Sequence, residues 1–172
     1  MQSSVTTPTQ PTRAWRRFEQ ALRTLAYLVV FGVVALALLG FAGLRTRAAS
    51  ANGDVDLEVT YAQVTRPGLA TPFGIAIDSV DGGPLPDEIE VQVPTAYLAM
   101  FDENGLDPEP DAMASDGTIE TWTFRPDGES SLHIDFDARL QPNVHSGETG
   151  TVTVSADGIE PVEVEFRTWV MP

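Results

Sequence analysis

The chain has 172 residues and a formal charge of −15, from 25 acids against ten basic residues that are all Arg; Lys and Cys are absent. The acidic balance excludes a phosphate-binding nucleic-acid surface, and without Cys there is no disulfide, thiolate zinc site or cysteine nucleophile. A hydrophobic fraction of 42% excludes wholesale disorder, and the length suits one ordinary domain plus an appendage.

The charge is divided along the chain. Met1–Arg47 holds six Arg against Glu19, a charge of +5, whereas Ala48–Pro172 holds four Arg against 24 acids, a charge of −20. Segments that differ this sharply face different environments.

Residues 1–12 are rich in Ser, Thr, Gln and Pro, lack apolar periodicity and read as a disordered cytoplasmic tail. Residues 13–44 read as an amphipathic approach running into a transmembrane helix. Thr24–Leu44 is an unbroken uncharged run, and ~20 helical residues cover the ~30 Å hydrocarbon core. With no water there to satisfy backbone groups, the run is expected to be helical. Four Arg precede it and two follow, which places the N-terminus in the cytoplasm. Trp15, Phe18, Leu22 and Leu25 share one helix face, with Arg16, Arg17 and Arg23 pointing elsewhere. Trp15 and Tyr27 suit the headgroup layer as aromatic anchors. The expected anchoring residues are therefore Trp15, Arg16, Arg17, Arg23 and Tyr27, with the bilayer contacting residues 24–44.

A cleaved signal peptide is the rival reading, with Ala49-Ser50-Ala51 as an A-x-A site. The apolar run exceeds the usual ~7–15 residues of such a segment, and Arg45 and Arg47 intrude before the site, which favours an uncleaved anchor. Cleavage after Ala51 stays open, and both readings put the remainder outside the cytoplasm. Residues 45–53 read as a polar, small-residue linker that keeps the outer domain close to the bilayer. The charge of that domain is expected to hold it off anionic headgroups.

From residue 54 to 172 the apolar period becomes two. Leu57/Val59/Tyr61, Phe73/Ile75/Ile77, Ile89/Val91/Val93, Trp122/Phe124, Leu132/Ile134/Phe136/Ala138, Val152/Val154 and Val162/Val164/Phe166 each alternate with polar residues. Turn signals stand between them at Asp81-Gly82-Gly83, Glu103-Asn104-Gly105, Asp116-Gly117, Asp127-Gly128, Ser146-Gly147 and Asp157-Gly158. Clean alternation predicts antiparallel strands with one wet face. Seven such strands predict an all-β, two-sheet sandwich behind one N-terminal transmembrane helix. The pattern, with the stretch Gly147-Glu148-Thr149-Gly150-Thr151-Val152-Thr153-Val154, resembles the immunoglobulin-like and fibronectin-like sandwiches of bacterial surface proteins. With its Arg-only basic set, the whole chain also resembles uncharacterised single-pass membrane proteins of high-GC bacteria. These resemblances imply a fold and carry no function.

Residues 101–117 read as the least regular part, a long acidic loop. Asp102, Asn104, Asp107, Glu109 and Asp111 offer oxygen ligands for calcium, although Leu106 stands where the EF-hand pattern needs one. The alternative is a solvated acidic loop. Tyr97, Leu98, Met100 and Phe101 precede it; exposed, they would make an acid-rimmed interaction patch, and packed, a further strand or turn. Trp169 poses the same question at the C-terminal end. His133, Asp135 and Asp137 share one strand face, but i, i+2, i+4 spacing spreads them over about 13 Å, too far for a single ion. His145 reads as a loop residue. No phosphate loop, dinucleotide fingerprint or zincin motif occurs, so neither an enzyme nor a small-molecule substrate is expected. The expectation is a non-catalytic, membrane-anchored module that contacts a membrane or envelope protein, without a cofactor. The alternatives are a calcium- or envelope-polymer-binding module and, further off, a hydrolase.

Overall fold

The computed structural model describes residues 13–38 and 44–171. They fall into two compact units that divide between Gly43 and Leu44. The tail at 1–12 and the expected end of the span at 39–43 lie outside the described residues, as do the side chains of Arg16 and Arg17.

The first unit is one helix, α1 (Arg13–Leu38). Its 26 residues, at about 1.5 Å each, extend about 39 Å. The stretch Phe18–Ala35 is long and apolar enough to cross a membrane. Leu22, Tyr27, Leu28, Phe31 and Val33 are all exposed around it. Trp15 lies on Phe18 with ring centroids 6.2 Å apart, and Arg23 pairs with Glu19 at 2.6 Å.

The second unit is built from strands β1 (Arg45–Asn52), β2 (Val55–Thr65), β3 (Ala70–Ser79), β4 (Ile89–Pro94), β5 (Phe101–Asp107), β6 (Ala112–Ser115), β7 (Ile119–Phe124), β8 (Ser131–Leu140), β9 (Thr149–Ala156), β10 (Val162–Arg167) and β11 (Trp169–Val170). One helical turn, α2 (Thr95–Leu98), follows β4. The first sheet runs β1-β2-β3-β8-β5, with β11 also paired to β2; the second runs β10-β9-β4-β7-β6. Every pairing is antiparallel except that of β11 with β2. All seven alternating segments of the sequence are strands, because alternation puts one apolar row per strand on the same side. Those rows form a single core from both sheets. Phe166 of β10 touches Tyr61 of β2 and Phe73 of β3, and Trp122 of β7 stacks on Phe136 of β8.

Two regions depart from expectation. Residues 45–53 are not a linker: Arg45–Asn52 pairs along β2, from Arg45 opposite Val64 to Asn52 opposite Asp56. Its small side chains conceal a strand that backbone bonds hold in place, with only Ala49 and Ala51 against the core. The domain therefore takes Arg45 and Arg47, and its charge becomes −18 rather than −20. Residues 101–117 are not one loop but β5, a crossing segment and β6. The expected turn at Glu103-Asn104-Gly105 is instead a bulge inside β5, where the register shifts before Leu106 and Gly105 takes φ 140°. Pro108 follows a cis peptide bond from Asp107. Bulge and prolines break the alternation that exposes other strands to sequence reading.

The register defines two ends of the second unit, named by chain order alone: proximal where β1 begins and distal where it finishes. At the proximal end, Arg45 lies opposite Val64, Ala70 opposite Arg139, Arg167 opposite Thr149, and Pro94 opposite Ile119. At the distal end, Asn52 lies opposite Asp56, Val55 opposite Ser79, and Ile89 opposite both Phe124 and Ala156.

Candidate functional site

The outermost strands β5 and β6 lie at one margin of the two sheets, and the chain crosses between the sheets through residues 108–111. A cleft of about 530 Å³ opens there. Its apolar lining is Leu106 from β5, Pro110 from the crossing segment, Met113 from β6, Trp122 from β7 and Phe136 from β8, with Glu109 and Glu120 as its carboxylates. The Trp122 indole N–H donates to Glu120 at 2.9 Å. That bond satisfies the buried ring's polar atom and fixes the carboxylate beside the apolar floor. Met113 is 56% exposed.

Strand β6 borders the cleft. Its sequence, Ala112-Met113-Ala114-Ser115, carries no charge, and every residue is exposed. Edge strands ordinarily carry charge, prolines or bulges that discourage further pairing. The edge of the other sheet at this margin, β5, has such protection in its bulge and in Asp102 and Asp107. On β6 the acids stand outside the strand, Asp111 before it and Asp116 after it.

The calcium candidates do not come together. Asp102 pairs in register with Arg139, and Asp107 with Asp135. Glu109 lines the cleft, and Asp111 lies 3.8 Å from Arg125, which pairs more closely with Glu88 at 2.9 Å. The Asn104 side chain is outside the described residues. Among the described residues, no three of His, Asp and Glu are grouped to hold a metal ion.

Tyr97, Leu98, Met100 and Phe101 are buried and belong to the core, so they form no surface patch. The sequence places them after Pro94, where α2 turns the chain from one sheet toward the other and drives both aromatic rings inward. Tyr97 packs against Phe73, Phe101 and Phe166. Burial raises its phenol pKa well above the usual range. Trp169 is exposed, at 51%, with the Arg167 guanidinium 4.1 Å above its ring.

His133 and Asp135 border a shallow cleft of about 450 Å³ on the outer face of the first sheet, with Glu58 and Thr60 across from them. The cleft exists because β3 contributes only Gly74 and Ala76 between those rows. His145 is exposed in the loop before β9.

The arginines of the domain are unevenly placed. Of its six, five (Arg45, Arg47, Arg66, Arg139 and Arg167) lie toward the proximal end, where Asp102, Glu103, Asp116, Glu120, Asp137, Glu148 and Glu165 also lie. The distal loops hold Asp54, Asp81, Asp87, Asp127, Asp157 and Glu160, with Arg125 nearby. Hydrogen bonds keep two of the loop acids ionised. The Gly83 N–H and the Ser79 hydroxyl hold Asp81 below the usual carboxylate range, and the N–H groups of Ile119 and Thr118 do the same for Asp116.

The cleft leaves no signal in the sequence. Leu106 sits beyond a bulge, and Met113 lies in a stretch with no alternating apolar partner. No known protein family matches this chain, and no curated protein matches it.

Proposed function

We propose that this protein is a non-catalytic, membrane-anchored interaction module. It holds an extracytoplasmic domain at the cell membrane to contact a membrane or envelope protein, as an accessory subunit of a larger complex. The observation that carries this reading is the apolar cleft of Leu106, Met113, Trp122 and Phe136 beside the uncharged edge of β6. An open strand edge next to an apolar pocket is the arrangement used for strand addition, in which backbone bonds supply affinity and the pocket selects a side chain.

In this reading α1 is a single-pass signal anchor with the N-terminus in the cytoplasm. The support is its apolar surface, together with the arginine excess before the span. The domain is read as an immunoglobulin-like sandwich, like those of the bacterial single-pass proteins the sequence resembles. Supporting this, the order β2-β3-β8-β5 facing β10-β9-β4 matches the seven-strand ABED and GFC sheets strand for strand in chain order. Strand β1 is added before that set, and the β6–β7 hairpin is inserted between its fourth and fifth strands.

The test is a photo-crosslinking amino acid at Met113 in intact membranes, compared with one at Ser50 on the outer side of β1. A discrete product from position 113 and none from position 50 is expected. Equal labelling at both positions, or none at either, would count against the cleft as the contact surface.

A further inference from the structure

We infer the chemistry of the strand that the β6 edge accepts: it carries one apolar and one long basic side chain, two residues apart on its inward face. The apolar side chain enters the cleft beside Met113, and an Arg or Lys reaches across Ser115 to Glu120. The inference rests on the strand-addition reading above and names the partner's chemistry.

The register of β6 against β7 sets the two positions. Met113 lies opposite Trp122 and Ser115 opposite Glu120, while Ala112 and Ala114 lie opposite Thr123 and Thr121. Side chains directly opposite share a face of the sheet. Met113, Ser115 and Glu120 therefore stand on the same side as the buried Trp122 ring. A strand added to the free edge of β6 extends both rows by one residue. Its residue beside Met113 continues the apolar row, over the cleft walls of Trp122 and Phe136. Its residue beside Ser115, two positions along, continues the row that ends in Glu120.

Charge and reach decide that second residue. Among the described residues, the ionisable side chains lining the cleft are Glu109 and Glu120 alone, and neither has a cation within 4.0 Å. Glu120 is half-buried. Its Oε1 accepts the Trp122 indole N–H at 2.9 Å, which orients the carboxylate and leaves it acceptor capacity to spare. Ser115 does not block the row: it is short, and its hydroxyl is engaged with the Ile119 carbonyl and the Gly117 N–H. The added strand lies two strand spacings from β7, about 9.6 Å. Lys and Arg are the cationic side chains long enough to close that gap, and their stems cover apolar surface on the way. A second copy fits poorly. Antiparallel pairing of the whole of β6 with itself would set Asp111 of each copy opposite Asp116 of the other, and opposed like charges are destabilising.

The test pans a phage library of random octapeptides on the full chain in phosphatidylcholine nanodiscs, after depletion on empty discs. Expected is a selected motif with an apolar residue and an Arg or Lys two positions apart, captured by a photoreactive residue placed at Ala114. Exchanging the basic residue of the synthetic peptide for a neutral analogue, citrulline for Arg or norleucine for Lys, is expected to weaken binding at least about tenfold, the loss of one hydrogen bond to a charged group. Glu120→Gln still accepts from Trp122 and should weaken binding similarly, while Asp87→Asn with Asp157→Asn in the distal loops leaves affinity unchanged. The peptide analogues give the same reading on the unsubstituted chain if Glu120→Gln fails to fold. Captured peptides without a basic residue at that spacing, or neutral analogues that bind equally well, overturn the inference and leave strand addition intact. An equal loss in the distal variant also overturns it, because the attraction is then to the net charge of the domain. No enriched peptide, or peptides that position 114 does not capture, overturns strand addition and the inference together. A chain-to-chain product from position 114 in intact membranes makes the occupant a second copy and overturns the basic partner.

Discussion

Tyr97 and Thr168 form a buried hydrogen-bonded pair, 3.1 Å apart, across 71 residues of sequence. The Thr168 hydroxyl donates to the Ala62 carbonyl at 2.9 Å, so it accepts from the Tyr97 phenol. Three elements are tied at one point: α2, the residue between β10 and β11, and β2. Thr168 is where the chain leaves one sheet for the other, and its side chain satisfies a carbonyl and a phenol that are both cut off from water.

Tyr97→Phe removes one bond, while Thr168 keeps its acceptor. A loss of about 1 kcal/mol is expected. Thr168→Val strands both the phenol and the Ala62 carbonyl and is expected to cost more, about 1–3 kcal/mol. Urea unfolding with unchanged slope checks both. Tyr97 also sets an alkaline limit. Burial raises its folded-state pKa, so above about pH 10, the pKa of a free phenol, the folded protein holds a proton that the unfolded chain releases. Stability is therefore level below that pH and falls above it. The fall is expected to be shallower in Tyr97→Phe, measured by unfolding between pH 8 and 11.

Gly150 faces inward on β9, and a Cβ there would meet the Phe166 ring at 2.5 Å and Tyr97 at 3.0 Å. Both neighbours sit in the aromatic cluster and cannot give way. Gly150→Ala is expected to cost about 1–3 kcal/mol by overpacking. Gly74 provides the contrast: its added Cβ would meet Asp135 at 3.3 Å, an exposed side chain that can rotate, and the Ile134 carbonyl at 3.6 Å, an ordinary van der Waals contact. Gly74→Ala is expected to be neutral, or to add about 0.5 kcal/mol from reduced chain entropy. Thermal midpoints of the two variants should move apart; equal midpoints would contradict the packing at Gly150.

Asp116 closes the β6–β7 turn, accepting the N–H groups of Thr118 and Ile119, each at 2.7 Å. These bonds lower its pKa in the folded state. Its contribution is therefore complete above about pH 3.9, the value for a free Asp, and is lost as the pH falls through the folded-state pKa. Asp116→Ala should lower stability at neutral pH and weaken its dependence on pH below 4. The comparison is acid unfolding of both proteins, followed by near-ultraviolet circular dichroism.

What could be read from the sequence was whatever depends on a side-chain period. The seven strands with apolar residues at every second position were legible because each buries one row, as at Ile89, Val91 and Val93. Strand β1 was not, because Ala49 and Ala51 contribute little apolar surface and its backbone bonds to β2 leave no mark in composition. Strand β5 was hidden by its bulge at Gly105. Total charge was legible but its placement was not: only register shows that Arg139 and Arg167 share an end with Arg45. The cleft at Trp122 was hidden for the same reason, since its walls come from four strands far apart in sequence.

Calcium provides a test of the acids in 101–117. Asp102 and Asp107 stand at separate register positions along β5, Glu109 lines the cleft and Asp111 lies near Arg125. Any cation that bound the folded chain alone would raise its midpoint, by about 2.7 kcal/mol of stability at a hundredfold excess over Kd. No shift at millimolar calcium is expected. A rise that chelator reverses would restore the calcium-binding alternative.

The cleft at the β5–β6 margin makes the most direct prediction about contact. Met113 is exposed and carries no core packing, so Met113→Asp is expected to change stability by less than about 0.5 kcal/mol. The same substitution puts a charge into an apolar pocket already holding Glu109 and Glu120, which should exclude an apolar side chain from it. Trp122→Ala would open the same pocket but also removes a core ring, at about 3–5 kcal/mol, so it cannot separate contact from folding. Met113→Asp can. With thermal midpoint unchanged, the crosslink from a photoreactive group placed at neighbouring Ala114 should disappear. Persistence of that crosslink at full yield would mean that the partner, if it binds this margin, does not use the cleft.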